Sequence, residues 1–362
     1  FNLGVMYDYG EGVLEDDAEA VRWYRLAAEQ GHVSAQYNLG FMYDNGAGVR
    51  QNQAKAATWY QRAAEQGHVT AQTRLGDMFY LGIGVKKDYA RAKQWYGRGA
   101  EQNHGHALFG LGRIYYFGKG VPQDHAEAVK WYRRAAKQGH VSSQNALGLM
   151  YKIGKGVPQD FEVAVIWYRK AAEKGDASAQ SSLGAMYYYG EGVPQNYKDA
   201  LKWSRLSTAQ NDPSGMMTLG RMYEYGEGIS QDLVQAHMWY NLASTNQVFH
   251  DFASESRNRV AMRMTSAEVT RAQRLARAWK PRSDQNVDSS ETSSTGKVSV
   301  LAVQRALKIL QYDPGPADGI LGSKTRAAIR AFQTASDIPP DGRMSTELYL
   351  QILSAISRTE QR

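Results

Sequence analysis

Residues 34–67 read SAQYNLGFMYDNGAGVRQNQAKAATWYQRAAEQG, and this stretch decides the fold. Its first part, SAQYNLGFMYDNG (34–46), places apolar residues at helical spacing and stops at Gly46. Glycine just past a helix end takes the left-handed conformation that other residues resist. The loop GAGVRQN (46–52) ends on Asn52. A short side-chain oxygen there accepts free N–H groups of the next helix's first turn. AKAATWYQRAAEQG (54–67) then reads as a second helix closed by Gly67. The predicted unit is helix, loop, helix, turn.

The unit recurs. Trp23, Trp59, Trp95, Trp131, Trp167, Trp203 and Trp239 lie 36 residues apart, and Trp279 falls outside the series. Gly4, Gly40, Gly76, Gly112, Gly148, Gly184 and Gly220 keep the same spacing, and glycine columns beginning at Gly10 and Gly12 run through all seven copies. Asp16, Asn52, Asp88, Asp124, Asp160, Asn196 and Asp232 form a further column, suited to N-caps. Asp124 followed by Glu127 has the form of a capping box. Such agreement between independent columns is the signature of a repeat array.

The glycine of each LG pair sits inside a helix, where glycine costs roughly 1 kcal/mol relative to alanine. Close approach of a neighbouring helix compensates, with the Trp–Tyr pair filling the space beside it. Tyr, Trp and Met at these fixed spacings read as core. His32, His68, His104 and His140 recur at the turn between repeats, and Asp176 takes the same place in the next copy. They read as turn and capping residues, since each belongs to a different repeat.

The columns LGxMYxxGxGV…D…A…WY..AA..G resemble the Sel1-like repeat, a relative of the tetratricopeptide repeat with a longer loop. The resemblance covers residues 1–280 and implies an all-α, right-handed α-solenoid of seven 36-residue helix pairs. MWYNLAS (238–244) and AMRMTSAEVTRAQRLARAW (261–279) resemble capping helices of such arrays. The basic Arg271, Arg274 and Arg277 suit the polar outer face a terminal cap needs. The resemblance also implies an adaptor that binds a protein partner on its concave face. Arg113, Tyr116, Lys152, Tyr188, Arg221 and Glu224, at the variable positions of LGxMYxxG, are the candidate partner strip.

Residues 281–297, PRSDQNVDSSETSSTGK, have the composition of a flexible linker. A small three-helix domain is expected over 298–362. VLAVQRALKIL (300–310) puts Val300, Val303, Leu307 and Leu310 on one face; GSKTRAAIRAFQ turns Ala328, Ile329 and Phe332 inward; STELYLQILSAI follows. The stretch DGILGSKTRAAIRAFQ (318–333) is no phosphate loop, because Ser323 separates Gly322 from Lys324 and no buried strand precedes it. Instead, VQRALKILQYDPGPADGILGSKTRAAIRAFQ…DG resembles the peptidoglycan-binding domain of bacterial cell-wall proteins. Asp318, Gly319, Gly322 and Thr325 fit its DGxxGxxT turn, whereas Arg343, Met344, Ser345 and Leu348 depart from its second turn. The ligand residues expected from this likeness are Tyr312 for stacking on sugar, Asp318 in the turn, and Lys324, Arg326 and Arg330 for peptide carboxylates.

The absence of cysteine excludes disulfides and thiolate metal sites, and the +7 charge is spread along the chain with no nucleic-acid arm. No HExxH, GxSxG or metal-ligand cluster appears, so neither catalysis nor a cofactor is expected. The chain begins at Phe1 in mid-pattern. A missing natural N-terminus is therefore expected, and with it any export signal, membrane anchor or upstream catalytic domain. Array plus tail is similar in architecture to polar organising proteins of the PodJ type. The expected role is a periplasmic or cell-envelope adaptor anchored to the wall. The alternatives are a secreted host- or regulator-binding protein with a vestigial tail, and the non-catalytic part of a wall hydrolase.

Overall fold

The computed structural model describes residues 1–281, Leu307, Tyr312, Asp313, 323–336 and Ile352. Seventeen helices are described, with no strand among the described residues. The chain divides into two units, Phe1–Pro281 and Arg282–Arg362. The first helices of the seven repeats are α1 (Asn2–Tyr9), α3 (Val33–Asn45), α5 (Val69–Leu81), α7 (Gly105–Phe117), α9 (Val141–Ile153), α11 (Ala177–Tyr189) and α13 (Pro213–Tyr225). Their second helices are α2 (Asp17–Glu29), α4 (Gln53–Glu65), α6 (Tyr89–Glu101), α8 (His125–Lys137), α10 (Phe161–Ala172), α12 (Tyr197–Ala209) and α14 (Leu233–Ala243). From α1 to α14 every helix packs on its chain neighbour, so the core is built from successive repeat junctions along the solenoid.

The repeat columns have distinct physical jobs. Each Asp/Asn caps a second helix, as when Asn52 accepts the Lys55 N–H at 3.0 Å. Its own N–H returns to a carbonyl of the first helix, Asn52 to Tyr43 at 2.8 Å and Asp124 to Tyr115 at 3.0 Å. That second bond is why Asp124 and Glu127 form no capping box. The N–H that Glu127 would need is already taken, and its carboxylate pairs with Lys130 at 2.8 Å. The capping box lies at Thr265 and Glu268 instead.

A Cβ on Gly40 would stand 2.7 Å from a ring carbon of Tyr60, so the LG glycine exists to admit the tyrosine of the same repeat. Tyr24, Tyr60, Tyr96, Tyr168 and Tyr240 are accordingly buried. The tryptophans are a correction to the core expectation. Trp59, Trp95, Trp131 and Trp167 are half-buried, and each carries a cation 4.5–4.9 Å above its ring, from Arg62, Arg98, Arg134 and Lys170. Burial of the tyrosine one residue on turns the indole toward the helix edge, where a cation three residues later covers it. Where Ser204 replaces the tyrosine, Trp203 is buried.

The turn histidines cap first helices. Nδ1 of His32, His68 and His140 accepts the N–H of Ala35, Ala71 and Ser143 at 3.2, 3.2 and 3.3 Å, and Asp176 does the same for Ala179 at 2.8 Å. His104 shares a hydrogen bond with Thr73 instead. Beyond the seventh repeat, α15 (His250–Ala261) and α16 (Ser266–Ala278) pack on α14, and Trp279 meets Trp239 edge-on at 5.9 Å. Arg271, Arg274 and Arg277 are exposed on this cap.

In the second unit one helix is described in full, α17 (Ser323–Ala335), with Ala328, Ile329 and Phe332 buried as expected. Leu307 is buried too. The rest of the helices expected over 300–310 and 345–356, the linker after Pro281, and Asp318 with its turn lie outside the described residues.

Candidate functional site

Successive first helices touch one another at α5/α7, α9/α11 and α11/α13, and second helices of adjacent repeats make no comparable contact. The first-helix row is therefore the tighter side of the array. Its outer positions follow from helical geometry. The residue just before each helix-ending glycine points away from the core, and the residue four earlier shares its face. The first of these columns reads Tyr9, Asn45, Leu81, Phe117, Ile153, Tyr189, Tyr225. Six of the seven are large and apolar, with 41–68% of their surface exposed. One turn earlier, Phe41 and Leu149 are exposed as well. An apolar ridge thus crosses the repeats on one side. Of the strip expected from the sequence, Tyr116, Lys152, Tyr188 and Glu224 lie one residue before this column, while Arg113 and Arg221 lie one turn before it and share its face; the missed signal was the apolar residue before each Gly.

The strip residues divide around this ridge. Arg113 lies on it, its guanidinium 4.4 Å above the Tyr80 ring. Tyr116 is half-buried and meets Phe117 edge-on at 4.8 Å. Lys152 pairs with Glu191 at 3.2 Å. Arg221 sits 5.7 Å from each of the Tyr188, Tyr189 and Tyr225 rings, a cation among three tyrosines. Tyr188 is buried; its hydroxyl donates to Glu227 and accepts from Arg221 at 3.1 Å. Burial and the Glu227 carboxylate push its phenol up, so it remains a donor.

Glu224 corrects the strip. Only 1% exposed, it accepts from Tyr240 at 2.8 Å and from Arg259 at 2.9 and 3.1 Å, with Arg263 at 3.7 Å. Burial alone would raise its pKa, but the Arg259 and Tyr240 hydrogen bonds outweigh that and hold it below the usual carboxylate range. The cap helix α15 brings Arg259 over it, so the carboxylate serves the cap and offers nothing to a partner.

In the tail, Lys324 and Arg330 are exposed on α17. Arg326 lies on the same helix, four residues before Arg330. Tyr312 is half-buried, with its ring edge-on to Phe332 at 5.8 Å, so one side of it belongs to the small core. Among the described residues no three His, Asp or Glu side chains gather to hold a metal, and no helix is long and apolar enough to cross a membrane.

The Sel1 repeat model matches seven times, over residues 1–32, 33–68, 69–104, 105–140, 141–176, 177–212 and 213–247. A peptidoglycan binding domain model matches 297–351. Among solved structures, the chain is 32% identical to a protective antigen present in uropathogenic Escherichia coli strains that displays an SLR fold. That match covers 82% of this chain and 73% of the other with a TM-score of 0.54. It is also 32% identical to a Sel1 repeat protein from Oxalobacter formigenes, over 67% of this chain and 98% of the other, with a TM-score of 0.61. No curated protein sequence matches significantly.

Proposed function

Since this chain belongs to the Sel1 repeat family, we propose that it is a non-enzymatic adaptor: its array holds a protein partner and its tail anchors it to peptidoglycan. The exposed ridge carries this reading. Six large apolar side chains recurring at one register along the first helices form an exposed patch of a kind that monomeric proteins seldom leave without a partner. Arg and Tyr at its edges suit a protein interface, joining apolar area to directional polar groups. Arg113, Tyr116 and Arg221 belong to that surface, with Lys152 and Tyr188 bracing it from their internal pairs.

In the tail, Lys324, Arg326 and Arg330 are assigned to the peptide carboxylates of the wall polymer, and the free edge of Tyr312 to its sugars. On this reading the protein works at the bacterial envelope, on the periplasmic face. The similarity to a protective antigen of uropathogenic Escherichia coli favours a second reading, in which the array faces host proteins and the tail is vestigial.

Sedimentation with insoluble peptidoglycan separates the two. Binding by the full chain that is lost on removing 298–362 supports the anchored adaptor. No binding by either form overturns anchoring and leaves the second reading.

A further inference from the structure

Comparing repeats locates a departure at the junction of the third and fourth copies. In three copies the residue after the Trp–Tyr pair is Arg25, Arg133 or Arg169. Its guanidinium donates to Tyr43, Tyr151 or Tyr187 on the next repeat's first helix, at 3.0, 2.9 and 2.6 Å. The third copy has Gly97 there, and a Cβ built on it meets nothing within 4 Å. Four residues earlier, the column is Val21, Ala57, Val129, Val165, Leu201 and His237, buried except for the half-buried Leu201, but Lys93 in the third copy. The Lys93 ammonium lies 5.5 Å from the Tyr115 ring, the equivalent of Tyr151 and Tyr187. The cation has moved back one turn, and no side chain fills the place it left.

A cleft of about 360 Å³ remains there, between α6 and α8 with α7 as its floor. Leu111, Tyr115 and Trp131 supply apolar and aromatic walls, and Lys93, Arg134 and Glu101 stand around them. Its place among the second helices separates it from the apolar ridge.

We propose that this cleft binds an aromatic side chain flanked by carboxylates, presented by an acidic peptide. The volume falls in the range of about 300–1,000 Å³ typical of ligand pockets. Tyr115 and Trp131 supply aromatic surface on which a ring can pack. Two cations face one carboxylate, Glu101, so the lining favours anions. Arg134 is already held, its guanidinium 4.9 Å above the Trp131 ring and one nitrogen donating to the Ala100 carbonyl at 3.3 Å. Its remaining N–H groups are fixed in orientation for a carboxylate, which a guanidinium matches with parallel hydrogen bonds. This inference stands apart from the peptidoglycan reading and survives its failure.

The probe is the acetylated, amidated tripeptide Glu-Phe-Glu, with Lys-Phe-Lys as its counterpart. Binding to the full chain is followed by the indole N–H signal of Trp131, assigned with Trp131→Phe. A saturable shift is expected for the acidic peptide. Gly97→Arg, which rebuilds the arrangement of the sister repeats, should weaken it by at least about tenfold, or 1.4 kcal/mol, without lowering Tm. Lys93→Val, which restores the usual column residue, should weaken it in the same direction and serves should Gly97→Arg fold poorly. The idea is overturned if Trp131 shows no saturable shift, if both folded variants bind as wild type, or if the lysine peptide binds as well.

Discussion

The side-chain amide of Gln66 donates to Oε1 of Gln36 at 2.7 Å and to the Gly31 carbonyl at 3.3 Å, so one residue ties its repeat to the one before. Gln102 and Gln210 do the same with Gln72 and Gln180. The buried member of each pair donates in turn to the Ala28, Ala64 or Ala172 carbonyl. The ladder is interrupted where Leu108 replaces the acceptor glutamine, and again at Lys174. Its ammonium donates to the Gly139 carbonyl at 2.7 Å, and Oε1 of Gln144 is left buried with no partner.

Lys174→Gln should therefore stabilise the array. The new amide would keep the Gly139 bond and supply the missing donor to Gln144, a gain of about 1 kcal/mol. The check is a higher urea midpoint with an unchanged slope. A lower midpoint would contradict the ladder.

One substitution should have opposite signs at two glycines. Gly40→Ala places a methyl 2.7 Å from the buried Tyr60 ring, and overpacking of this kind costs about 1–3 kcal/mol. Gly97→Ala meets open space in a helix and should gain about 0.5–1 kcal/mol. Thermal melts of the two variants test the pair, and equal shifts would refute the packing account.

His140 makes the array sensitive to mild acid. Burial, then the neighbouring His106, His104 and Lys174, push it down to about 4 from 6.5. Its cap needs a neutral Nδ1 to accept the Ser143 N–H. The unfolded chain takes up the proton first, so stability falls as pH drops from 6.5 towards 4. After solvent screening the loss is about 1–2 kcal/mol. His140→Asp, copying Asp176, should flatten the denaturation midpoint across that window. A variant as acid-sensitive as wild type would exclude His140 as the cause.

Glu224 acts in the opposite part of the scale. A carboxylate held below 4.5 contributes stability that is present above that pH and lost as pH falls through the depressed value. Glu224→Ala leaves Arg259 and Arg263 without their anion. Both arginines are nearly half exposed and water can take them up, so the loss is that of the charged hydrogen bonds and of the acceptor for the Tyr240 hydroxyl, about 1–3 kcal/mol. Because repeats contact their neighbours only, amide exchange should rise in α13–α16 and stay unchanged in α1–α6. A uniform rise along the chain would refute this local role.

The period was legible because each column answers to one local rule: Gly46 stops a helix, Asn52 starts one, Gly40 yields to a ring. What escaped depended on neighbours. Glu127 could not be seen to lose its capping partner without knowing that the Asp124 N–H returns to Tyr115. Trp59 and Tyr60 are adjacent and similar in sequence, and packing alone decides which is core. Glu224 sits at a variable position, yet Arg259 of α15 and Arg263 just beyond it, 35 and 39 residues later, claim it. The Lys93–Gly97 exchange was present in the sequence, but its meaning appears only where Arg133 and Tyr151 show what a complete junction looks like.

The second glycine of each loop has a consequence for how the chain is made. A Cβ on Gly48 would overlap the backbone of Asp17 and Ala18, and one on Gly84 that of Gln53 and Ala54, so each loop lies against the preceding repeat. The seat is always older than the loop that takes it. During synthesis each such seat leaves the ribosome before the loop that covers it, so the array can close in one direction along the chain, like a zip.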